Sequence, residues 1–209
     1  MVEVTERDLE LLKWINGFGF VMAGQVARWM NVDEKVAGRR LRKLESIRLI
    51  SRERVFHRGG SVVRVTKDGV KMSGDELGPM KTLRLGTFEH DKSMVDLSLD
   101  LVSQNEGSYF LPERRIRHER GQKGVGQKGH ISDGILTKSD KKRIAVELEL
   151  SRKQRWRLDK IVSEFQADMS LDEVWYFCSD NVSDLVKEIV GSDQMFSIFK
   201  WPNTRVNPA

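Results

Sequence analysis

Residues 131–134 are Ile-Ser-Asp-Gly, and residues 144–153 are Ile-Ala-Val-Glu-Leu-Glu-Leu-Ser-Arg-Lys. In the second segment, aliphatic residues alternate with Ala145, Glu147 and Glu149, which is the period-two pattern of a β-strand. Such a strand places both glutamates on one face. Because only a short polar turn separates the two segments, we predict adjacent strands that bring Asp133, Glu147 and Glu149 together.

The composition narrows the class of protein. The chain has 209 residues, of which 39% are hydrophobic and 32% charged, as in a soluble protein with one large or two small domains. No apolar run approaches the roughly 20 residues of a membrane helix, and the polar N-terminus is unlike a signal peptide. The single Cys178 excludes an internal disulfide and lies in an apolar run. We therefore expect a cytoplasmic protein with a buried thiol and no membrane partner.

Basic residues are concentrated in one part of the chain. The formal net charge is +5 and the pI is near 9.3. Residues 39–71 contain eleven Lys or Arg against three acids, whereas residues 161–209 contain three basic residues against eight acids. A basic region of this kind favours a polyanionic partner, and it lies in the first third of the chain.

The first domain is predicted to span residues 1–76. Thr5 is a suitable N-cap for a first helix, a second helix covers about residues 23–30, and Asp33 caps a third. Residues 51–57 and 61–66 flank Gly59-Gly60 and alternate Val with Arg, which indicates a β-hairpin. The predicted order is three helices followed by a basic hairpin.

The third helix has an apolar face and a cationic face. Ala37, Leu41 and Leu44 recur at helical spacing, and basic residues occupy the opposite side. Residues 5–74 resemble the winged helix-turn-helix family. The resemblance implies binding of double-stranded DNA, with the third helix in the major groove and the hairpin on the backbone or minor groove. The predicted DNA-binding residues are Lys35, Arg39, Arg40, Arg42, Lys43, Arg54, Arg58 and Arg64.

A second domain is predicted over residues 87–209, after a linker at 77–86 that contains Gly78-Pro79. A helix from about Phe88 precedes a strand at 109–111, a basic glycine-rich loop at 114–129 and the two acidic strands. A helix at 152–165 capped by Ser151, a strand at 172–178, a helix at 182–190 and a strand at 195–201 complete an α/β (α+β) domain with a mixed sheet. In the predicted 152–165 helix, Trp156 is expected to pack. This order resembles the PD-(D/E)XK restriction-endonuclease-like fold.

The whole chain is more narrowly similar to the replication-relaxation family of plasmid and phage proteins. The similarity rests on His90, on Glu113-Arg114, on the segment from His130 to Gly134, and on Val146-Glu-Leu-Glu149-Leu-Ser-Arg-Lys153. It implies a winged helix joined to a nuclease-like domain in a protein of a mobile element. Replication or mobilisation proteins would then be partners, and a homodimer on a palindromic site stays open.

The resemblance implies a metal-dependent site in the second domain, if that site is active. Asp133 and Glu147 would then hold Mg²⁺ or Mn²⁺, and no other cofactor is called for. The catalytic set would be Asp133, Glu147, Glu149, Lys153 and Glu113. Glu149 stands where the family usually has lysine, a role that Lys153 could take, and Ser132 replaces the usual proline. His90 and His130 are further candidates as a ligand or proton shuttle, and His130 is the better one because it lies beside Asp133.

Three functions remain open from the sequence. The leading hypothesis is a sequence-directed double-stranded DNA-binding protein, either a replication or mobilisation accessory or a transcriptional regulator, with a non-catalytic nuclease-like domain. In that case the alternating glutamates are solvated on an exposed strand face or pair with Arg114, Arg115 or Lys153. The alternative is a Mg²⁺-dependent endonuclease targeted by its winged helix. A protein-interaction adaptor would leave the basic third helix without a role.

Overall fold

The computed structural model describes residues 2–55, 60–124 and 129–202. The chain is a mixed α/β protein that forms two compact units, Met1–Leu99 and Asp100–Ala209. Arg58, at the tip of the predicted hairpin, lies outside the described residues. Within the described part, no helix is both long and apolar enough to cross a membrane.

The first unit contains the three predicted helices and the predicted hairpin. Its helices are α1 (Glu6–Phe18), α2 (Ala23–Met30), α3 (Glu34–Ser46) and α4 (Lys67–Ser73), and its strands are β1 (Val21–Met22), β2 (Ile50–Glu53) and β3 (Val62–Val65). The strands are antiparallel in the order β1-β3-β2. Leu12, Leu41 and Val63 meet in one buried core. The helix α4 is an addition to the predicted elements.

Local side-chain chemistry fixes where these elements begin. The carboxylate of Asp8 accepts hydrogen bonds from the backbone amide and hydroxyl of Thr5, which closes the start of α1. Asp33 accepts from the amide of Lys35 at the start of α3. Gly69 in α4 is needed for close approach, because a Cβ there would lie 2.1 Å from the carbonyl oxygen of Leu49. The sequence Thr-Lys-Asp-Gly after β3 is therefore a helix start packed on the sheet.

The segment at 77–86, predicted to be a linker, packs on the first unit. Leu77 is buried, and its carbonyl accepts a hydrogen bond from the Asn16 side-chain amide. Met80 and Leu83 lie against a small cluster of Phe20, Val62 and Phe88. The division between the units falls later, between Leu99 and Asp100, inside the helix α5 (Phe88–Gln104).

The second unit is built on a mixed sheet. Its further elements are β4 (Tyr109–Pro112), α6 (Glu113–Gln122), β5 (Gly134–Thr137), β6 (Arg143–Glu149), α7 (Arg155–Gln166), β7 (Glu173–Cys178), α8 (Asp180–Val190) and β8 (Phe196–Lys200). The strands follow the order β4-β5-β6-β7-β8. The β4–β5 and β5–β6 pairs are antiparallel, and the β6–β7 and β7–β8 pairs are parallel. The predicted mixed sheet is thus confirmed.

Two predicted segments differ from the structure. Most of the basic segment at 114–129 is not a loop, because α6 occupies residues 113–122 with Ile116 buried as its anchor. The helix after β6 begins at Arg155, with Gln154 as its N-cap, instead of after Ser151. Trp156 was expected to pack, but its position in the first turn leaves it 65% exposed.

The acidic face of β6 is buried. Ala145 belongs to a core formed with α7, β7 and α8, and Glu147 and Glu149 follow it on the same side of the strand. Their relative exposures are only 1% and 3%. The expectation that these glutamates are solvated on an open strand face is therefore wrong, because the helices cover that face.

Candidate functional site

A cationic surface lies on α3 in the first unit. Ala37, Leu41 and Leu44 are fully buried, which fixes the orientation of the helix. The opposite side carries four exposed basic residues, which we call the α3 cationic face: Lys35, Arg39, Arg42 and Lys43. Their spacing along the helix places them on neighbouring turns, so their charges act on the same region of solvent.

Arg40, one of the arginines predicted to bind DNA, has structural partners in the first unit. Arg40 forms an ion pair with the buried Asp8 and donates to the carbonyl of Glu3 at 2.8 Å. Although burial raises the pKa of Asp8, the hydrogen bonds from Arg40 and Thr5 outweigh it and hold that pKa below its usual value. Arg40 therefore links α3 to the start of α1, and its predicted contact with DNA stays a prediction.

Arg64 and Arg54 are the predicted DNA-binding arginines of the hairpin that the structure describes. Arg64 on β3 is largely covered and pairs with Glu53 at 2.7 Å. Arg54, just after β2, is exposed. Of the predicted hairpin arginines that the structure describes, Arg54 therefore presents its charge most openly.

In the second unit, Asp133 is held at the junction of β5 and β6. It directly precedes β5, and its Oδ2 accepts a hydrogen bond from the backbone amide of Leu148 at 2.9 Å. The next residue, Gly134, is covered by the ring of Phe110. A Cβ at this position would lie 2.0 Å from that ring, so glycine is needed here. In the Asp-Gly pair, the carboxylate of Asp133 therefore binds the neighbouring strand. Any larger residue at Gly134 would require the structure around it to rearrange.

Glu147 lies at the centre of a buried polar cluster. Its Oε1 shares a hydrogen bond with His130 Nε2 at 2.9 Å and is 3.3 Å from the backbone amide of Asp133. Its Oε2 is buried and has no hydrogen-bond partner among the described residues. Tyr176, the neighbour of Glu147 on β7, has a buried hydroxyl that likewise finds no partner in the described chain. Burying the Glu147 Oε2 atom and the Tyr176 hydroxyl without a hydrogen bond costs free energy of folding.

The cluster shifts the pKa values of its members. Burial and the nearby charge of Asp133 raise the pKa of Glu147 to about 7. For His130, burial favours the neutral ring, but the hydrogen bond and charge of Glu147 outweigh it, so that the pKa of His130 is raised. Burial and the charges of Glu147 and Glu149 raise the pKa of Tyr176. The His130–Glu147 pair therefore holds protons more tightly than the same groups in water.

The remaining predicted acids each have a cationic partner. Glu149 forms an ion pair with Lys153, which is 26% exposed. Burial disfavours the charge on Lys153, but Glu149 outweighs it and raises the pKa of that ammonium. Glu113 is paired with Arg117, one turn along α6. The structure thus brings Asp133, Glu147, Glu149 and Lys153 into one region, while the carboxylate of Glu113 binds within its own helix.

These residues do not fit a resident Mg²⁺ or Mn²⁺ as they are arranged. A hard divalent cation needs a shell of about six oxygen ligands. Asp133 Oδ2 is used by the Leu148 amide, Glu147 Oε1 by His130, and Glu149 by Lys153. Across residues 2–55, 60–124 and 129–202, no three His, Cys, Asp or Glu side chains are placed to hold a metal ion. Glu147 Oε2 is a buried carboxylate oxygen with no hydrogen-bond partner in the described chain, and one such oxygen does not make a metal site.

Some members of the cluster could not be found from the sequence. Glu164 on α7 accepts a hydrogen bond from the backbone amide of His130, and Arg120 on α6 donates to the His130 carbonyl at 3.1 Å. No spacing rule connects residues so far apart in the chain. Cys178 is buried, as expected, and burial raises the pKa of its thiol to about 12.

The sequence matches no protein-family model, and no curated protein or solved structure is significantly similar to it. By its own geometry, the chain combines an exposed cationic helix in one unit with a buried, internally paired acidic cluster in the other.

Proposed function

We propose that this protein binds double-stranded DNA through its first unit, which is a winged helix-turn-helix domain. The observation that carries the proposal is the α3 cationic face, whose four basic side chains are exposed while the opposite face is fixed in the core. An α-helix fits the major groove of B-form DNA, where Arg and Lys reach both phosphates and the acceptor edge of guanine.

The surrounding elements support this assignment. Residues 31–33 connect α2 to α3 in a short turn, and β2 and β3 follow as an antiparallel hairpin. This is the order in which winged helices place a supporting helix, a recognition helix and a wing. Arg54 would contact the DNA backbone from the wing.

For the second unit we propose the PD-(D/E)XK nuclease-like fold in a non-catalytic form. The antiparallel β4-β5-β6 part and the parallel β6-β7-β8 part of its sheet support the fold. The pairing of Glu149 with Lys153 and of Glu147 with His130 supports a structural role for the acids. The replication-relaxation resemblance then suggests a mobile-element protein that acts in replication, mobilisation or transcriptional regulation.

The DNA-binding proposal is tested by selecting a preferred duplex from a random pool and measuring its affinity by fluorescence anisotropy. We expect Arg39→Ala combined with Arg42→Ala to weaken binding by roughly 10- to 1,000-fold, because each arginine contributes base or phosphate contacts. Lys71→Ala, an exposed lysine on α4, is the matched control and should change affinity little.

Salt dependence tests the same proposal independently. Log affinity should fall linearly with log salt, and the double variant should show a shallower slope by about one to two phosphate contacts. An affinity that is independent of ionic strength, or a double variant that binds like wild type, would overturn the assignment of α3.

A nicking assay tests the non-catalytic assignment of the second unit. Supercoiled plasmid carrying the selected site is incubated with Mg²⁺ or Mn²⁺ and either wild-type protein or the Glu147→Ala variant. We expect no metal-dependent nicking by either. Cleavage by wild type that Glu147→Ala abolishes would instead establish the endonuclease alternative.

A further inference from the structure

A second basic surface lies in the other unit, along the start of α7. It is a groove between His130 and the segment at residues 151–154, which follows β6. His130 and Lys153 both line it. We call it the α7 groove. Lys153 reaches the buried acidic cluster from this side through Glu149, and His130 reaches it through Glu147. The groove therefore runs over the polar cluster and is separate from the α3 cationic face.

The groove is strongly positive. Four cations line it, Arg152, Lys153, Arg157 and Lys160, against the single carboxylate of Glu164. Lys160 lies 3.8 Å from Glu164, and Lys153 is paired with Glu149. Arg152 and Arg157 are exposed and form no ion pair with any residue that the structure describes. Two guanidinium groups are thus available to an anionic ligand without breaking an internal contact.

An aromatic side chain stands among these cations. Trp156 also lines the groove, and 65% of it is exposed. Its indole nitrogen donates a hydrogen bond to the side chain of Gln154, which restrains the ring at the first turn of α7. The neighbouring apolar positions on α7, Leu158 and Ile161, are buried in the core. The sequence therefore places a large apolar ring on the outside of a helix that has a well-packed inner face.

We propose that the α7 groove binds single-stranded nucleic acid, with Trp156 stacking on a base and with Arg152 and Arg157 neutralising phosphates. Proteins that hold single strands combine a positive groove with aromatic rings, because every base has a flat face on which to stack. In a duplex those faces are covered by neighbouring base pairs, so an isolated exposed ring gains little from double-stranded DNA. The residues of this site are different from those of the duplex surface on α3.

The test uses the full chain and a labelled single-stranded dT oligonucleotide of about 15 residues, which has no secondary structure. Trp156→Ala should weaken its binding by roughly five- to a hundredfold, whereas Trp156→Phe should retain most of the affinity, because the stacking surface is kept. Tyr109→Ala removes another exposed aromatic ring, on β4, and should have no effect.

Charge reversal examines the phosphate contacts. Arg157→Glu should weaken oligonucleotide binding and reduce its salt dependence. Lys142→Glu makes the same change of charge at a lysine that does not line the groove and should leave binding nearly unchanged. If both reversals weaken binding equally, the effect is that of net charge, and the proposed site is wrong.

The two nucleic-acid surfaces can be separated in one set of measurements. Trp156→Ala should leave affinity for the selected duplex unchanged, and Arg39→Ala with Arg42→Ala should leave affinity for the oligonucleotide unchanged. Equal losses for duplex and single strand on Trp156→Ala would show that the ring does not act by stacking on an unpaired base and would overturn the stacking role. Wild-type protein that does not bind the oligonucleotide would overturn the proposal, whatever the outcome for the duplex.

Discussion

The helix α3 and the strand β6 both carry several charges, but they use them in opposite ways. On α3, the side chains of Arg39 and Arg42 are exposed to solvent. On β6, Glu147 and Glu149 are almost completely buried, and each is held by a side chain from outside the strand. Exposed charges of the first kind are available to a partner, whereas charges of the second kind are largely satisfied within the protein.

This difference arises from solvation. A surface arginine keeps its water, so that removing it changes little in the folded chain. A buried carboxylate has lost its water and must be compensated by hydrogen bonds, a cation or a proton. A charged motif in the sequence can thus indicate a binding surface or a polar core, and burial distinguishes the two. Four substitutions test this contrast, from the largest expected effect to the smallest.

Glu149→Ala should have the largest effect on folding. The substitution leaves Lys153, which is only 26% exposed, without its main partner, and we expect a loss of about 3 kcal/mol in the free energy of unfolding. Urea denaturation measures the loss. A double-mutant cycle with Lys153→Met isolates the pair, since the two changes together should cost less than the sum of the single changes. Strict additivity would show that the ion pair does not couple the residues.

Asp8→Ala should be nearly as damaging, although its partner Arg40 lies on α3. The change removes a buried ion pair and the contacts that close the start of α1, at a cost of about 2–3 kcal/mol. Thermal unfolding measures the cost. Arg42→Ala, which removes an exposed arginine from the same helix as Arg40, is the matched control. If the two variants unfold alike, Arg40 is not distinct from the exposed arginines.

Glu147→Gln should change the pH dependence of stability more than stability itself. The pKa of Glu147 is raised from 4.5 to about 7 in the folded state, and the pKa of His130 is raised as well. Between pH 4.5 and 7 the folded protein therefore binds more protons than the unfolded chain, so its stability falls as the pH rises through this window. The amide does not ionise and should remove most of that fall.

The measurement for Glu147→Gln is urea denaturation at pH 5 and at pH 7.5 in buffer with a chelator. We expect the change in unfolding free energy between these pH values to be about 2 kcal/mol smaller in the variant than in wild type. Identical pH profiles would mean that Glu147 titrates normally despite its burial.

Arg39→Ala should have the smallest effect on stability. Its side chain is exposed on α3, and we expect the unfolding free energy to change by less than about 0.5 kcal/mol. The same variant should weaken binding to the selected duplex. A loss of stability as large as that of Asp8→Ala would place Arg39 in the core and remove the basis for the α3 cationic face.

Much of the architecture is already present in local sequence patterns. The period-two alternation at 144–150 predicts β6, and the spacing of Ala37, Leu41 and Leu44 predicts the inward face of α3. Both patterns work because each residue's neighbours within the element determine which face it occupies. Patterns fail where the neighbours are distant: neither the burial of Ile116, which anchors α6, nor the late start of α7 at Arg155 can be identified from adjacent residues.

The candidate site shows the same limit. The sequence alone predicts that Asp133, Glu147 and Glu149 come together, because strand pairing and strand period are local properties. Only the tertiary structure determines that helices α7 and α8 bury the acidic face, that His130 and Lys153 occupy its oxygens, and that Arg40 points inward while Trp156 points outward. Burial depends on which elements cover a surface, and that is a property of the whole fold.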